Sequence, residues 1–285
     1  MIFGYITGGL GNQLFQIFAM ISLSIDSSIP FYFPNTEYFS SSRHAYWNSF
    51  LSRLEIFLKT PIFIKSTTSE VVKETNFEYQ PFDIELVKRE NILFFGYYQS
   101  YKYFENNYRA IYNLIDINKY KNSVMNKIMN KINISDKTIS MHFRLGDYKY
   151  LSNCHPTIDL NYYSNCLKYL INVGINLREY KIFYFCENNE IDMKIVLKMI
   201  DNLLIEYPYL VFVREEGLEE YEEMILMSLC CHNIIANSTF SWWGAYFNDN
   251  QAKIVMYPDV WFGPELSHKN TKDLCPENWI KISVN

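Results

Sequence analysis

Asn233-Ile234-Ile235-Ala236-Asn237-Ser238-Thr239-Phe240-Ser241-Trp242-Trp243-Gly244 is an apolar run that stops on amide and hydroxyl residues, then resumes as an aromatic stretch into Ala245-Tyr246-Phe247-Asn248. The first four residues have the length of a short buried strand, and a helix starts on the small polar ones. A turn of this kind points backbone N–H groups and hydroxyls at one spot, where a phosphate can be held without a metal. Asn, Ser and Thr are also good N-cap residues, so an ordinary helix start is the plain alternative. Working outward, the same alternation recurs: Thr138–Phe143 reads as a strand, Leu160–Ile171 as a helix and Lys181–Cys186 as a strand. Ile191–Ile200 is helical, Leu210–Val213 a strand, Glu219–Cys231 helical and Ala252–Tyr257 a last strand. Strands alternating with helices predict a doubly wound α/β layer with parallel strands, whose ligands sit at the carboxyl ends.

The chain also opens as a βαβ unit. Met1–Thr7 reads as a buried strand, Leu14, Phe15, Phe18, Ala19, Ser22 and Leu23 recur at helical spacing, and Ile29–Phe33 reads as a second strand. Residues 35 to 95 show no clear period, Tyr101–Tyr120 reads as a helix, and the Asn/Lys-rich stretch Lys119–Lys137 reads as a bridge between two halves. The expectation is two α/β domains, 1–130 and 131–285.

Composition narrows the class. With 285 residues, 49% of them hydrophobic, the chain can bury a sizeable core and is not compositionally disordered. A net charge of −5 argues against a nucleic-acid binder, which carries a basic patch, so any anionic ligand must be held by a few placed groups. The six cysteines match neither a zinc site nor a disulfide framework, which predicts reduced, mostly buried thiols and a cytoplasmic protein. The uncharged amino terminus lacks the basic n-region of a signal peptide, the first Lys or Arg being Arg43, and no apolar run reaches a transmembrane span of about 20 residues. Peripheral association with a membrane stays open.

Two more motifs lie where strands end. Gly8-Gly9-Leu10-Gly11-Asn12-Gln13 lets the backbone turn tightly after the first strand. It is not a dinucleotide fingerprint, because Leu14 occupies the third glycine position, which disfavours a nicotinamide oxidoreductase. In His142-Phe143-Arg144-Leu145-Gly146-Asp147-Tyr148, Arg144 is a fixed cation whose planar donors match phosphate oxygens. Asp147 either pairs with it internally or aims it at a ligand. His142 alternates with Arg144 and so shares its strand face.

These segments together resemble glycosyltransferase family 11, the bacterial-type α-1,2-fucosyltransferases. Gly8–Gln16 (GGLGNQLFQ), His142–Tyr148 (HFRLGDY) and Asn237–Gly244 (NSTFSWWG) are similar to the family's three main motifs. Gly96–Phe104 (GYYQSYKYF), His155-Pro156, Tyr221–His232 and Tyr257-Pro258 with Trp261-Phe262 are lesser matches in the same order. The family's second arginine is Leu145 here, and related O-fucosyltransferases also have a residue other than Arg there; this puts donor affinity and acceptor choice in question more than reaction class.

The resemblance implies a GT-B-like α/β fold, two Rossmann-like domains facing across a cleft, with residues 1–130 on the acceptor side and 131–285 binding GDP-fucose. It implies inverting transfer of L-fucose from GDP-β-L-fucose to the 2-hydroxyl of a galactose-containing glycan, with no cofactor and no divalent metal. By carry-over His142, Arg144 and Asp147 are the catalytic candidates. Gly9, Gly11, Asn12, Arg144, Asn237, Ser238, Thr239 and Phe240 are expected around the donor phosphates and sugar. Glu223 is expected to accept from guanine, and Glu187 from ribose or guanine. Glu223 sits among Glu219, Glu220 and Glu222, so a solvated helical face is its alternative. The Trp242-Trp243 pair suits a core better than a sugar platform. Another GDP-sugar transferase, or a non-catalytic glycan-binding protein on the same scaffold, stays open, as does the oligomeric state.

Overall fold

A computed structural model describes residues 1–40, 43–129 and 137–285 of the chain. They form two compact units, Met1–Tyr120 with Lys269–Pro276, and Lys121–His268 with Glu277–Asn285. The division expected between residues 130 and 131 lies outside the described residues, as do residues 130–136 of the expected bridge.

The first unit begins with β1 (Ile2–Gly4), α1 (Leu10–Ser27) and β2 (Phe31–Pro34), followed by the hairpin strands β3 (Tyr38–Ser40) and β4 (Arg43–His44). Then come β5 (Leu58–Lys59), α2 (Pro61–Thr67), β6 (Glu70–Lys73), α3 (Ile84–Arg89), β7 (Ile92–Phe95) and α4 (Tyr108–Ile115). Its main sheet is parallel, in the order β5-β2-β1-β7-β6. The opening βαβ reading therefore holds, with α1 packed against β1 and β2. Three further strands of the main sheet, β5, β6 and β7, lie in the stretch where no period was visible: β6 is short and largely exposed, which erases its alternation. The helix expected over Tyr101–Tyr120 is broken by two 3₁₀ turns and by Asp116 in the left-handed region (φ 67°).

After α5 (Ile117–Ile128), the second unit runs β8 (Lys137–His142), α6 (Leu160–Asn172), β9 (Tyr180–Phe185), α7 (Glu190–Glu206) and β10 (Val211–Val213). It continues with α8 (Glu220–Leu229), β11 (His232–Ile234), α9 (Thr239–Tyr246), β12 (Val255–Pro258) and β13 (Ile280–Ile282). All six strands pair in parallel in the order β10-β9-β8-β11-β12-β13. The predicted strands and helices appear here within a few residues; β13 is an addition, and its sequence Ile280-Lys281-Ile282, with Lys281 exposed, offers no continuous apolar run.

The chain moves from β8 outward through β9 and β10, then crosses to the other side of β8 to lay down β11. The reversal falls between β8 and β11, and at such a switch point the loops part and leave a crevice. In the first unit the corresponding reversal lies between β1 and β7. Buried Ile139, Met141, Phe143, Tyr162, Tyr163, Leu167, Ile182 and Ile234 form the second unit's core. A buried polar set joins β11 to its neighbours: the Asn233 amide donates to Ser140 Oγ at 2.7 Å and the Met227 carbonyl at 2.8 Å, and its Oδ1 accepts from Asn248 at 2.8 Å. With every one of these groups partnered, the desolvation penalty is offset and the register of β8 against β11 is specified. All six cysteines are thiols outside any disulfide, four of them buried. Among the described residues no helix is long and apolar enough to cross a membrane.

Candidate active site

The second unit brings most of the predicted site residues to one end of its sheet. In sheet order, Arg214 follows β10, Glu187 follows β9, Arg144 follows β8 and Asn237-Ser238 follow β11. Parallel pairing places all these carboxyl ends on the same edge.

Arg144 is the centre of this row. Its Nη1 donates to Glu187 Oε1 and its Nη2 to Asp147 Oδ1, while its guanidinium lies over the Tyr148 ring at 4.7 Å. Burial works against its charge, but Glu187, Tyr148 and Asp147 together hold it more firmly protonated than a free arginine. The second Glu187 oxygen accepts from the Leu145 N–H at 3.1 Å, so both oxygens of this carboxylate serve to place Arg144. Gly146 permits this approach. It adopts φ +46°, and a Cβ there would stand 2.8 Å from Glu187 Oε1. The turn is pinned again by fully buried Asp192, which accepts from the Gly146 N–H at 3.1 Å and pairs with Lys149. Burial opposes the Asp192 charge, yet its bonds from Lys149, Asn189 and Gly146 leave its pKa below the usual carboxylate range.

His142 closes β8, buried, with its ring tilted against Phe240 at 5.7 Å between centroids. Burial, aided by the Arg144 charge, depresses its pKa to about 3. A histidine this far down is a neutral imidazole at physiological pH, suited to a hydrogen bond and unsuited to general-base work near pH 7. Its Nδ1 is buried without a hydrogen-bond partner.

Across the switch point, Asn237 donates to the Pro156 carbonyl at 2.8 Å and the Trp261 carbonyl at 3.3 Å, stapling two loops to the start of α9. Its Oδ1 is a second buried oxygen or nitrogen left unpartnered. Tyr148 Oη donates to the Asn237 carbonyl at 3.3 Å, tying the arginine turn to this loop. Ser238 is the N-cap of α9 and accepts from the Phe240 N–H at 3.3 Å; Thr239 and Phe240 form its half-buried first turn. Unpaired polar atoms in a core are rare, and these two lie at or just past the ends of the neighbouring strands β8 and β11 at the switch point. Trp242 and Trp243 are both fully buried, Trp242 stacked on Tyr246 and Trp243 tilted against Phe247, and neither is exposed as a sugar platform.

Glu223 stands in the first turn of α8, half-buried, while Glu219 and Glu220 face solvent. Its neighbour Glu222 is buried, completes the capping box with Glu219 and pairs with Lys127 at 2.5 Å. Burial raises the Glu223 pKa to about 7; Arg214 opposes the shift, and Glu220 and Glu187 add to it. That mutual influence places Glu223 near the β9–β10 end of the row, so it is not merely one charge of a solvated face.

Gly9, Gly11 and Asn12 belong to the first unit. The expected glycine loop is shorter than the motif: Gly8 (φ +82°) turns the chain, Gly9 is the N-cap, and α1 already begins at Leu10, so Gly11 and Asn12 lie in its first turn. Asn12 Oδ1 accepts from Gln99 at 2.9 Å, a bond across that unit's own switch point. Gln13 donates to the Gly8 and His44 carbonyls at 3.0 and 2.7 Å, and Gln16 accepts from the Thr7 N–H. Sequence reading missed Lys149, Asp192, Gln99 and Arg214. Arg214 carried a signal, being a charged residue directly after a strand like Arg144 and Glu187; the others act through tertiary contacts that leave no local pattern. Among the described residues no cluster of three His, Cys, Asp or Glu side chains has the arrangement to hold a metal ion.

Two parallel α/β units, one with an arginine beside a helix N-terminus at its switch point, define a GT-B-like sugar-transferase fold. The chain belongs to glycosyl transferase family 11, whose family model matches residues 44–283. It is 27% identical to an O-antigen biosynthesis glycosyltransferase, WbnK, of Escherichia coli, across 99% of this chain and all of that one. It is 26% identical to an alpha-1,2-colitosyltransferase of Escherichia coli across 97% of each. Among solved structures, POFUT1 in complex with GDP matches 90% of this chain and 97% of its own at TM-score 0.52 and 12% identity, which is a likeness of fold.

Proposed function

We propose that the protein is an inverting α-1,2-fucosyltransferase that moves L-fucose from GDP-β-L-fucose to the 2-hydroxyl of a galactose-type unit in a glycan, without a divalent metal. The observation that carries this reading is the guanidinium of Arg144, fixed by Glu187 at the switch point, with the Ser238–Phe240 helix start on the strand beside it. A diphosphate set there receives a planar cation from one strand and backbone N–H groups from the next. As the sugar–phosphate bond breaks, the growing negative charge meets donors that need no reorganisation; losing one such donor typically slows a reaction about 10²–10³-fold. Arg144 with Asp147 and Glu187 carries a net charge of −1, so an incoming phosphate must displace a carboxylate. Asp147, the more exposed partner, is the one to yield. We assign neutral His142 a hydrogen bond to donor phosphate or ribose, and Glu223 one to guanine. We read the first unit as the acceptor-side domain, and its Gly9, Gly11 and Asn12 stay candidates for contact with the donor.

The relative that is a colitosyltransferase favours a second reading, in which the donor is GDP-colitose. Nucleotide release from GDP-fucose, GDP-colitose, GDP-mannose and UDP-galactose, measured with EDTA present, separates them. Fucose as the preferred donor with undiminished release in EDTA is the expected result. Release only from GDP-mannose or UDP-galactose, or dependence on an added metal, defeats the proposal.

A further inference from the structure

The first unit contains a cavity of about 210 Å³ that no part of the donor chemistry uses, lined by Glu74, Gln80, Phe82, Phe94, Tyr98 and Tyr103 among others. It lies where β6 and β7 end: Glu74 directly follows β6, and Gly96-Tyr97-Tyr98 directly follow β7. These are carboxyl ends of parallel strands, beside the reversal between β1 and β7. The floor is aromatic. Phe82 meets Phe94, Tyr98 and Tyr103 at ring distances of 5.2, 5.4 and 5.1 Å. Gln80, Pro81, Asp83 and Lys73 form an exposed rim.

Two features go beyond packing. Tyr98 is 4% exposed, and its hydroxyl is buried without a hydrogen-bond partner. Its backbone also sits at φ +53°, in the left-handed region that a bulky residue occupies only when its surroundings force it. Glu74 does the forcing: its two oxygens accept from the Tyr97 and Tyr98 N–H groups at 2.7 and 3.0 Å. A Cβ on Gly96 would come within 2.4 Å of the Glu74 side chain, so only glycine lets the carboxylate reach across.

The geometry points to a binding subsite for a single neutral pyranose, with a ring face against Phe82 and Tyr103 and a sugar hydroxyl on the Tyr98 hydroxyl. Ligand pockets for larger molecules run about 300–1,000 Å³, so this cavity is too small for a nucleotide, and its lining offers an anion one lysine against two carboxylates. An aromatic box beside a carboxylate also suits a quaternary ammonium. That ligand has no hydrogen bond to give the buried, unpartnered Tyr98 hydroxyl. Calling the pyranose the glycan acceptor rests on the transferase reading above; the binding itself does not.

The test is a titration of the full chain with methyl β-D-galactopyranoside, without nucleotide, followed by saturation-transfer NMR. Choline runs as a competitor, and GDP binding is measured separately by calorimetry. Wild type is expected to bind the galactoside. Tyr98→Phe, which removes only the hydroxyl, is expected to weaken it about threefold to tenfold. Leu86→Trp, which fills the cavity from α3, is expected to abolish it; both variants keep wild-type GDP affinity and melting temperature. Equal galactoside binding by all three proteins, no binding by wild type, or displacement by choline overturns the inference. Absence of GDP binding or of transfer from any GDP-sugar instead overturns the transferase reading and leaves this result standing or falling alone.

Discussion

Arg144 and Glu187, on the ends of adjacent strands, hold each other through Nη1 and Oε1, while the remaining Glu187 oxygen takes the N–H of Leu145. The carboxylate thus fixes the cation and the backbone that carries it. A guanidinium held this way has little freedom left to lose when a phosphate arrives, the condition under which an electrostatic contact contributes most to a transition state.

Arg144→Ala is expected to lower kcat/KM about 10²–10³-fold or more with an unchanged circular dichroism spectrum. Arg144→Lys recovers little, because an ammonium cannot face Glu187 and a phosphate in one plane. A lysine variant with full rate would contradict the planar, two-sided role.

Glu187→Gln keeps an acceptor for Leu145 but loses the charge, and should reduce kcat/KM about tenfold to a hundredfold with GDP affinity falling in parallel. Gly146→Ala should do comparable harm through the same contact, since its Cβ would press on Glu187 Oε1 from a backbone at φ +46°. Steady-state kinetics on both variants checks this; a normal Gly146→Ala enzyme refutes the coupling.

The pKa of His142, about 3, lies below its ordinary value of 6.5. Between these pH values the unfolded chain binds a proton that the native protein does not. The group's contribution to stability is therefore complete above pH 6.5 and falls as pH drops toward 3, at about 1.4 kcal/mol per pH unit. Urea unfolding at pH 7 and pH 5 should show a steeper acid loss in wild type than in His142→Phe. Parallel curves would show that His142 does not titrate as a buried group.

Glu223 shifts the opposite way. With its pKa raised to about 7 from 4.5, the native state holds a proton that the unfolded state has lost, so its contribution to stability declines as pH rises from 4.5 to 7. Only the ionised form accepts fully from guanine N1–H and N2–H. GDP should therefore outbind inosine diphosphate by about tenfold above pH 8, less at pH 6, and without preference in Glu223→Gln. Calorimetry at the two pH values decides; a pH-independent preference removes Glu223 from the guanine site.

Gly244 lies where α8 and α9 touch, and a Cβ there would sit 2.7 Å from Met227 Cβ. Gly244→Ala should destabilise the protein by about 1–3 kcal/mol through overpacking. Thermal melting measures it, and an unshifted melting temperature would show that the helices part freely.

Much of this was readable from one dimension. The alternation of the second half predicted five of its six strands because parallel, two-sided burial writes continuous apolar runs. Arg144, Glu187 and Ser238 were readable as site candidates because each directly follows such a run. The first unit was less legible: β6 is exposed, and the break at Asp116 depends on a single left-handed residue. Gly11 and Asn12 belong to a helix that starts earlier than its apolar spacing suggested, since helix onset is decided by caps more than by periodicity.

Local chemistry alone determined the class of fold, the strand ends where the candidate site residues gather and Arg144 as the candidate cation, because these follow from residue type and spacing. Only tertiary structure decided that Glu187 grips Arg144, that His142 is neutral, that the tryptophan pair is core, and that Tyr98, its hydroxyl buried, lines an aromatic cavity. Those properties arise from burial and from partners dozens of residues distant, and neither is encoded in any short stretch of chain.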